Sequence, residues 1–75
     1  ISMPVGGGEL NIEVPGTLKH AVLRIYTING QMLQEHRGLT GNKFTIDIVT
    51  LQPGVYLVVI EENGLGVGAE KLIVK

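Results

Sequence analysis

Few side chains in this 75-residue chain could do chemistry, and their spacing limits what that chemistry would be. The one serine is Ser2, the one aspartate is Asp47, and the imidazoles are His20 and His36. A hydrolytic triad needs its nucleophile, base and acid held in fixed mutual geometry. Ser2 lies in a glycine-rich end that offers no such hold, so these four residues read as solvated polar groups. Glu9, Asn11 and Glu13 share one strand face by the two-residue period and could offer hard oxygen ligands to Ca²⁺. The wet face of a half-buried strand is the simpler account of them. Glu61 and Glu62 are adjacent and point to opposite faces, and the two histidines lack an HxxxH spacing. Without cysteine there is no disulfide and no CxxC metal or redox site. Gly64-x-Gly66-x-Gly68 matches neither GxGxxG nor GxxxxGK[ST], and no helix follows to hold an anion. The expectation is a chain that is not an enzyme and has no cofactor and no metal site.

The elements that must position these groups are strands. Ile, Val and Thr make up 22 of the 75 residues, while Ala occurs only at positions 21 and 69. Stiff β-branched side chains suit a pleated, half-buried surface. A net charge of −1 with six scattered Lys/Arg makes no basic stripe, which excludes nucleic acid as a partner. The longest apolar run, Val55 to Ile60, is far too short for a helical membrane span. A chain of this length is one domain that buries only about 60% of its unfolded surface, so it is expected to lean on a neighbour. A start at Ile1, with no initiator Met or signal peptide, reads as a piece of something longer.

Residues 1–8 read as a linker or a weak first strand, and 9–75 as the domain. Leu10, Ile12 and Val14 alternate with polar residues up to Pro15-Gly16, which should stop the strand. A second strand runs from Ala21 to Ile28, with Leu23 and Ile25 on one face and Val22, Arg24 and Tyr26 on the other. Asn29-Gly30 is a hairpin signal for a type I′ turn, followed by a return strand from Gln31 to Arg37. Gly38 to Asn42 reads as a loop before the alternating Phe44, Ile46 and Ile48. Pro53-Gly54 makes a tight connection into Val55–Glu61, and Asn63-Gly64 opens a turn through Gly68 before the last strand, Ala69–Lys75. Six or seven strands with regular turns predict an all-β, small antiparallel sandwich or barrel.

Val55-Tyr56-Leu57-Val58-Val59-Ile60 is apolar on both faces, where a strand with one wet face should alternate. Its second face needs a cover, so Val55, Leu57 and Val59 are a candidate contact surface, including for self-association. Lys71 and Lys75 bracket Leu72-Ile73-Val74, as charges that guard an edge strand do.

Four pieces in order carry a family resemblance: Leu10-Asn-Ile-Glu-Val14, Leu23-Arg-Ile-Tyr-Thr-Ile-Asn-Gly-Gln-Met-Leu33, Ile46-Asp-Ile-x-x-Leu-x-Pro-Gly-Val-Tyr56 and Lys71-Leu-Ile-Val-Lys75. Together they resemble the type A C-terminal sorting domain of the type IX (Por) secretion system of Bacteroidetes. The resemblance implies an immunoglobulin-like β-sandwich of about seven strands at the end of a secreted cargo protein. It implies passage through the periplasm and the outer-membrane translocon of a Gram-negative bacterium to the cell surface, then removal by a sortase-like peptidase. Partners would be translocon and peptidase components and an upstream cargo domain. Carried over residue by residue, Asn29, Gly30, Pro53, Gly54 and Tyr56 are structural motif positions. Lys71, Leu72, Ile73, Val74 and Lys75 are the sorting signal. The second reading is a structural or adhesive immunoglobulin-like module that binds protein or glycan.

Overall fold

An apolar residue at every second position gives a strand one face that must leave water, and Leu10, Ile12 and Val14 begin such a face. The computed structural model describes residues 5, 6 and 8–75, and Ser2 lies outside them. The strands are β1 (Val5–Gly6), β2 (Glu9–Thr27), β3 (Met32–Asp47), β4 (Gly54–Glu62) and β5 (Leu65–Val74). All pair antiparallel in one hydrogen-bonded sheet. β2 is its spine. β3 follows β2 along nearly its whole length, and on the other side β1 pairs at Glu9–Leu10 and β4 at Ala21–Thr27.

Among the described residues the seven strands expected become five, because two anticipated breaks are bulges rather than loops. Pro15-Gly16 lies inside β2 and Gly38–Asn42 inside β3. The ladder slips between Glu13 and Leu18 and again on to Ala21, so both strands bend without losing their pairing. Positive φ angles collect there: Gly16 (+78°) and His20 (+55°) on β2, Gly38 (+71°) and Gly41 (+118°) on β3. A Cβ at Gly16 would meet nothing within 4 Å, so its requirement is conformational rather than spatial.

The bend also resets phase. The buried residues of β2 are even-numbered up to the bend, at Leu10, Ile12, Val14 and Leu18, and odd-numbered after it, at Ala21, Leu23 and Ile25. The extra residue at Lys19-His20 keeps both halves of the strand facing one core. That core joins Leu10, Ile12, Val14, Phe44, Ile46 and Ile48 from the first half of the hairpin to Leu23, Ile25, Val58, Ile60 and Leu72 from the rest. One face of a single layer cannot be sealed from water without a cover, so the two halves of the bent hairpin cover each other. The shortest extent, 17 Å, suits two layers about 10 Å apart with their backbones bent. No polar or charged side chain is buried among the described residues.

Two turns differ from their expected forms. At Asn29-Gly30 only Gly30 has positive φ (+92°), and its N–H donates to Thr27 O at 3.0 Å. This is a type I turn closed by a left-handed glycine, not type I′; the longer loop tolerates Asn29 in the ordinary region. The type I′ geometry occurs instead at Asn63 (+54°) and Gly64 (+78°), where Glu62 pairs directly with Leu65. That turn therefore ends at Leu65, and Gly66 and Gly68 belong to β5.

His20 carries a side chain where the backbone favours glycine. His20→Gly is expected to leave stability unchanged or raised, whereas His20→Val is expected to lower it by about 1–2 kcal/mol. Urea unfolding midpoints of the two variants check this; equal midpoints would contradict the role given to His20.

Candidate recognition surface

Strand alternation divides the terminal segment between two jobs. Leu72 is 2% exposed, sits opposite Tyr56 and belongs to the core, and Val74 packs against that core half-buried. Lys71 and Ile73 (54% exposed) face out from the other side, and Lys75 is exposed just beyond the strand. Within this segment Lys71, Ile73 and Lys75 are the fully exposed residues, while Val74 is half-buried. β5 pairs with β4 alone, so its far edge offers backbone groups free of sheet partners among the described residues.

The neighbours of Lys71 and Ile73 come from β4 and β2. Ile73 lies opposite Val55 and Lys71 opposite Leu57, and Leu57 in turn lies opposite Tyr26. Val55 and Leu57 are each 41% exposed, and Ile28 in the β2–β3 turn is 75% exposed. An open groove of about 480 Å³ is lined by Tyr26, Thr27, Ile28, Val55, Leu57 and Lys71 among others, with Ile73 outside its lining. Val59, expected to join this patch, is half-buried opposite Arg24. Tyr26 and Ile28 are members that alternation alone did not single out. Their outward positions were legible, but the β2–β4 register that sets them beside Leu57 was not.

Two of the motif residues, Gly54 and Tyr56, flank Val55 on β4. Tyr56 packs on the core and its hydroxyl donates to Gln52 O at 2.5 Å, tying β4 to the connection that precedes it. Gly54 has φ +159°, at the extended limit rather than the left-handed region a type II turn would need. A Cβ there would come no closer than 3.9 Å to the Tyr56 ring.

One row away on the same face, Arg24 Nε donates to Glu35 Oε2 and Arg24 Nη1 to Glu61 Oε1, both at 2.8 Å. Arg37 Nε reaches the other Glu35 oxygen at 2.9 Å. Hydrogen bonds from Arg24 and then Arg37 hold the Glu35 carboxyl below its usual value, and donating to Glu35 and then Glu61 raises the Arg24 guanidinium. This cross-strand network ties β3, β2 and β4 together on the wet face. The sequence reading missed it, although the outward position of Arg24 was a signal.

Among the described residues, those considered for chemistry are not brought together. Asp47 is exposed, its Oδ1 accepting from the Val49 N–H at 2.9 Å. His36 is half-buried, its Nε2 donating to Gln34 Oε1 at 2.8 Å. Asn11 Oδ1 accepts from Thr45 Oγ1 at 3.0 Å. Among the described residues no three His, Cys, Asp or Glu side chains cluster closely enough to hold a metal ion.

Two outcomes are expected. The depressed Glu35 carboxyl contributes stability that is fully present above the unfolded value near 4.5 and is lost as pH falls through its lower folded value. The stability difference between the parent and Glu35→Gln should therefore be constant from pH 7 to about pH 5 and shrink below about pH 4.5. Denaturant titrations across that range check the sign. Tyr56→Phe should cost about 1 kcal/mol, read in the same assay.

Comparison with known proteins finds a relative and a family for the chain. A funoran endo-beta-hydrolase from Wenyingzhuangia aestuarii is 28% identical over 72 residues, 96% of this chain and 10% of that protein. The chain thus spans about a tenth of the length of that relative. No solved structure matches. Residues 6–75 match the family described as secretion system C-terminal sorting domain, and that span includes every strand from β2 to β5. The chain belongs to the C-terminal sorting domain family of the type IX secretion system.

Proposed function

We propose that the folded domain is an address rather than a catalyst, read while a cargo protein upstream is carried through the outer-membrane translocon to the cell surface. The observation that carries this is the family match together with the form of the last strand. β5 is an edge strand presenting Lys71, Ile73 and Lys75 on one side while Leu72 anchors it in the core. Edge strands are read by backbone pairing, with side-chain pockets supplying specificity. An address needs a stable shape and an open face, and no convergent titratable groups.

Removal of the domain at the surface by a sortase-like peptidase completes the reading. The cargo activity lies outside residues 9–75, in keeping with a relative of which this chain spans only a tenth. A polysaccharide hydrolase such as the funoran endo-beta-hydrolase is one kind of cargo that this domain would serve.

Deleting residues 71–75 is a poor test, because it removes Leu72 from the core as well as the exposed side chains. A cleaner test fuses the chain behind a periplasm-directed reporter in a type IX-competent bacterium. The parent fusion is expected at the cell surface. The Ile73→Ser/Lys75→Ser variant is expected to be retained in the periplasm, with a thermal midpoint within a few degrees of the parent. A parent fusion that stays in the periplasm, or a variant exported at the parent level, overturns the proposal.

A further inference from the structure

We infer that the groove between the β2–β3 turn and the last strand receives an extended, apolar peptide segment of the export machinery that carries a carboxylate beside its apolar side chains. The inference rests on the sorting-domain reading and extends the recognised surface beyond the terminal five residues, to Tyr26 and Ile28 and to Val55 and Leu57 on β4.

Four observations carry it. The wall is almost wholly apolar, with Ile28, Val55 and Leu57 exposed in its lining and Ile73 exposed outside it, opposite Val55. Contiguous apolar surface of this kind marks a contact site. Among the described residues Lys71 is the one charged residue lining the groove and forms no ion pair, so the unmet complement is an anion. The groove crosses β2 and β4 and reaches β5 at Lys71, and an extended segment laid along it would meet the last strand, whose far edge is unpaired among the described residues. Finally, the ionic network of Arg24, Glu35, Glu61 and Arg37 lies on the same sheet face. A flat lipid surface would have to desolvate those charges, whereas a narrow peptide need not.

A second copy of the chain fits less well. Laying groove on groove would bring Lys71 towards its counterpart, with no carboxylate in either lining to neutralise the pair. Like charges placed together oppose association.

The test uses the same reporter fusion with substitutions outside the terminal segment. Ile28→Ser/Leu57→Ser is expected to cut surface display at least tenfold while the thermal midpoint stays within a few degrees of the parent. Lys71→Glu should do the same, and Lys71→Arg should keep display near the parent level. Leu65→Ser, at the far end of β5 and 72% exposed, is the matched control and should leave display unchanged. If the parent is exported and either Ile28→Ser/Leu57→Ser or Lys71→Glu is exported equally well, the groove assignment is overturned while the sorting reading stands. An equal loss in Leu65→Ser overturns it as well, since the effect would not be specific to the groove. If the parent itself fails to export, both fall. Light scattering of the isolated domain should show a monomer; a dimer abolished by Leu57→Ser would overturn the assignment in favour of a second copy.

Discussion

Everything in this domain depends on one long strand burying both of its halves in the same core. Leu10, Ile12 and Val14 precede the bend in β2, and Ala21, Leu23 and Ile25 follow it. A straight 19-residue strand would carry its second half far from the first and leave one apolar stripe in water. The bulges around Gly16 and His20 bend β2 and shift its alternation by one residue, so both halves face inward. β3 bends with it through Gly38 and Gly41, which lets the pairing continue across the fold. Burial of each Leu or Ile side chain is worth about 1.5–3 kcal/mol, which outweighs the cost of a single left-handed histidine.

That arrangement fixes what remains outside. With the first half of the hairpin covering the inner face of β2, β4 and β5, the other face of those strands is left to solvent. Near the bend this face is occupied by the Arg24, Glu35, Glu61 and Arg37 network, which suits water. Towards the β2–β3 turn it becomes apolar, with Lys71 at its rim. The apolar-on-both-faces strand Val55–Ile60 is thereby explained in two parts. Val58 and Ile60 belong to the core, Val59 is half-covered, and Val55 and Leu57 stay open. The final strand takes part in both faces: Leu72 closes the core while Lys71 and Ile73 extend the outer surface. The core and the exposed surface are therefore coupled in β5, because a change at Leu72 alters the frame on which Lys71 and Ile73 are displayed.

The sequence by itself determined the strand class, the inward residues and the family. Two-residue alternation and β-branched content fix which side chains seek burial, whatever the chain's path, and Leu10, Ile12, Leu23, Ile25, Phe44 and Ile46 were legible for that reason. The order of motifs from Leu10 to Lys75 carried the family because it does not depend on knowing the fold. Tertiary structure alone decided that Pro15-Gly16 and Gly38–Asn42 bend strands instead of ending them, because a bulge and a loop share the same glycine chemistry and differ only in whether a partner strand follows. It also decided the register that puts Arg24 between Glu35 and Glu61, and Tyr26 beside Leu57. Those contacts join residues more than ten positions apart, and local preference cannot choose among the pairings that a core of this size permits.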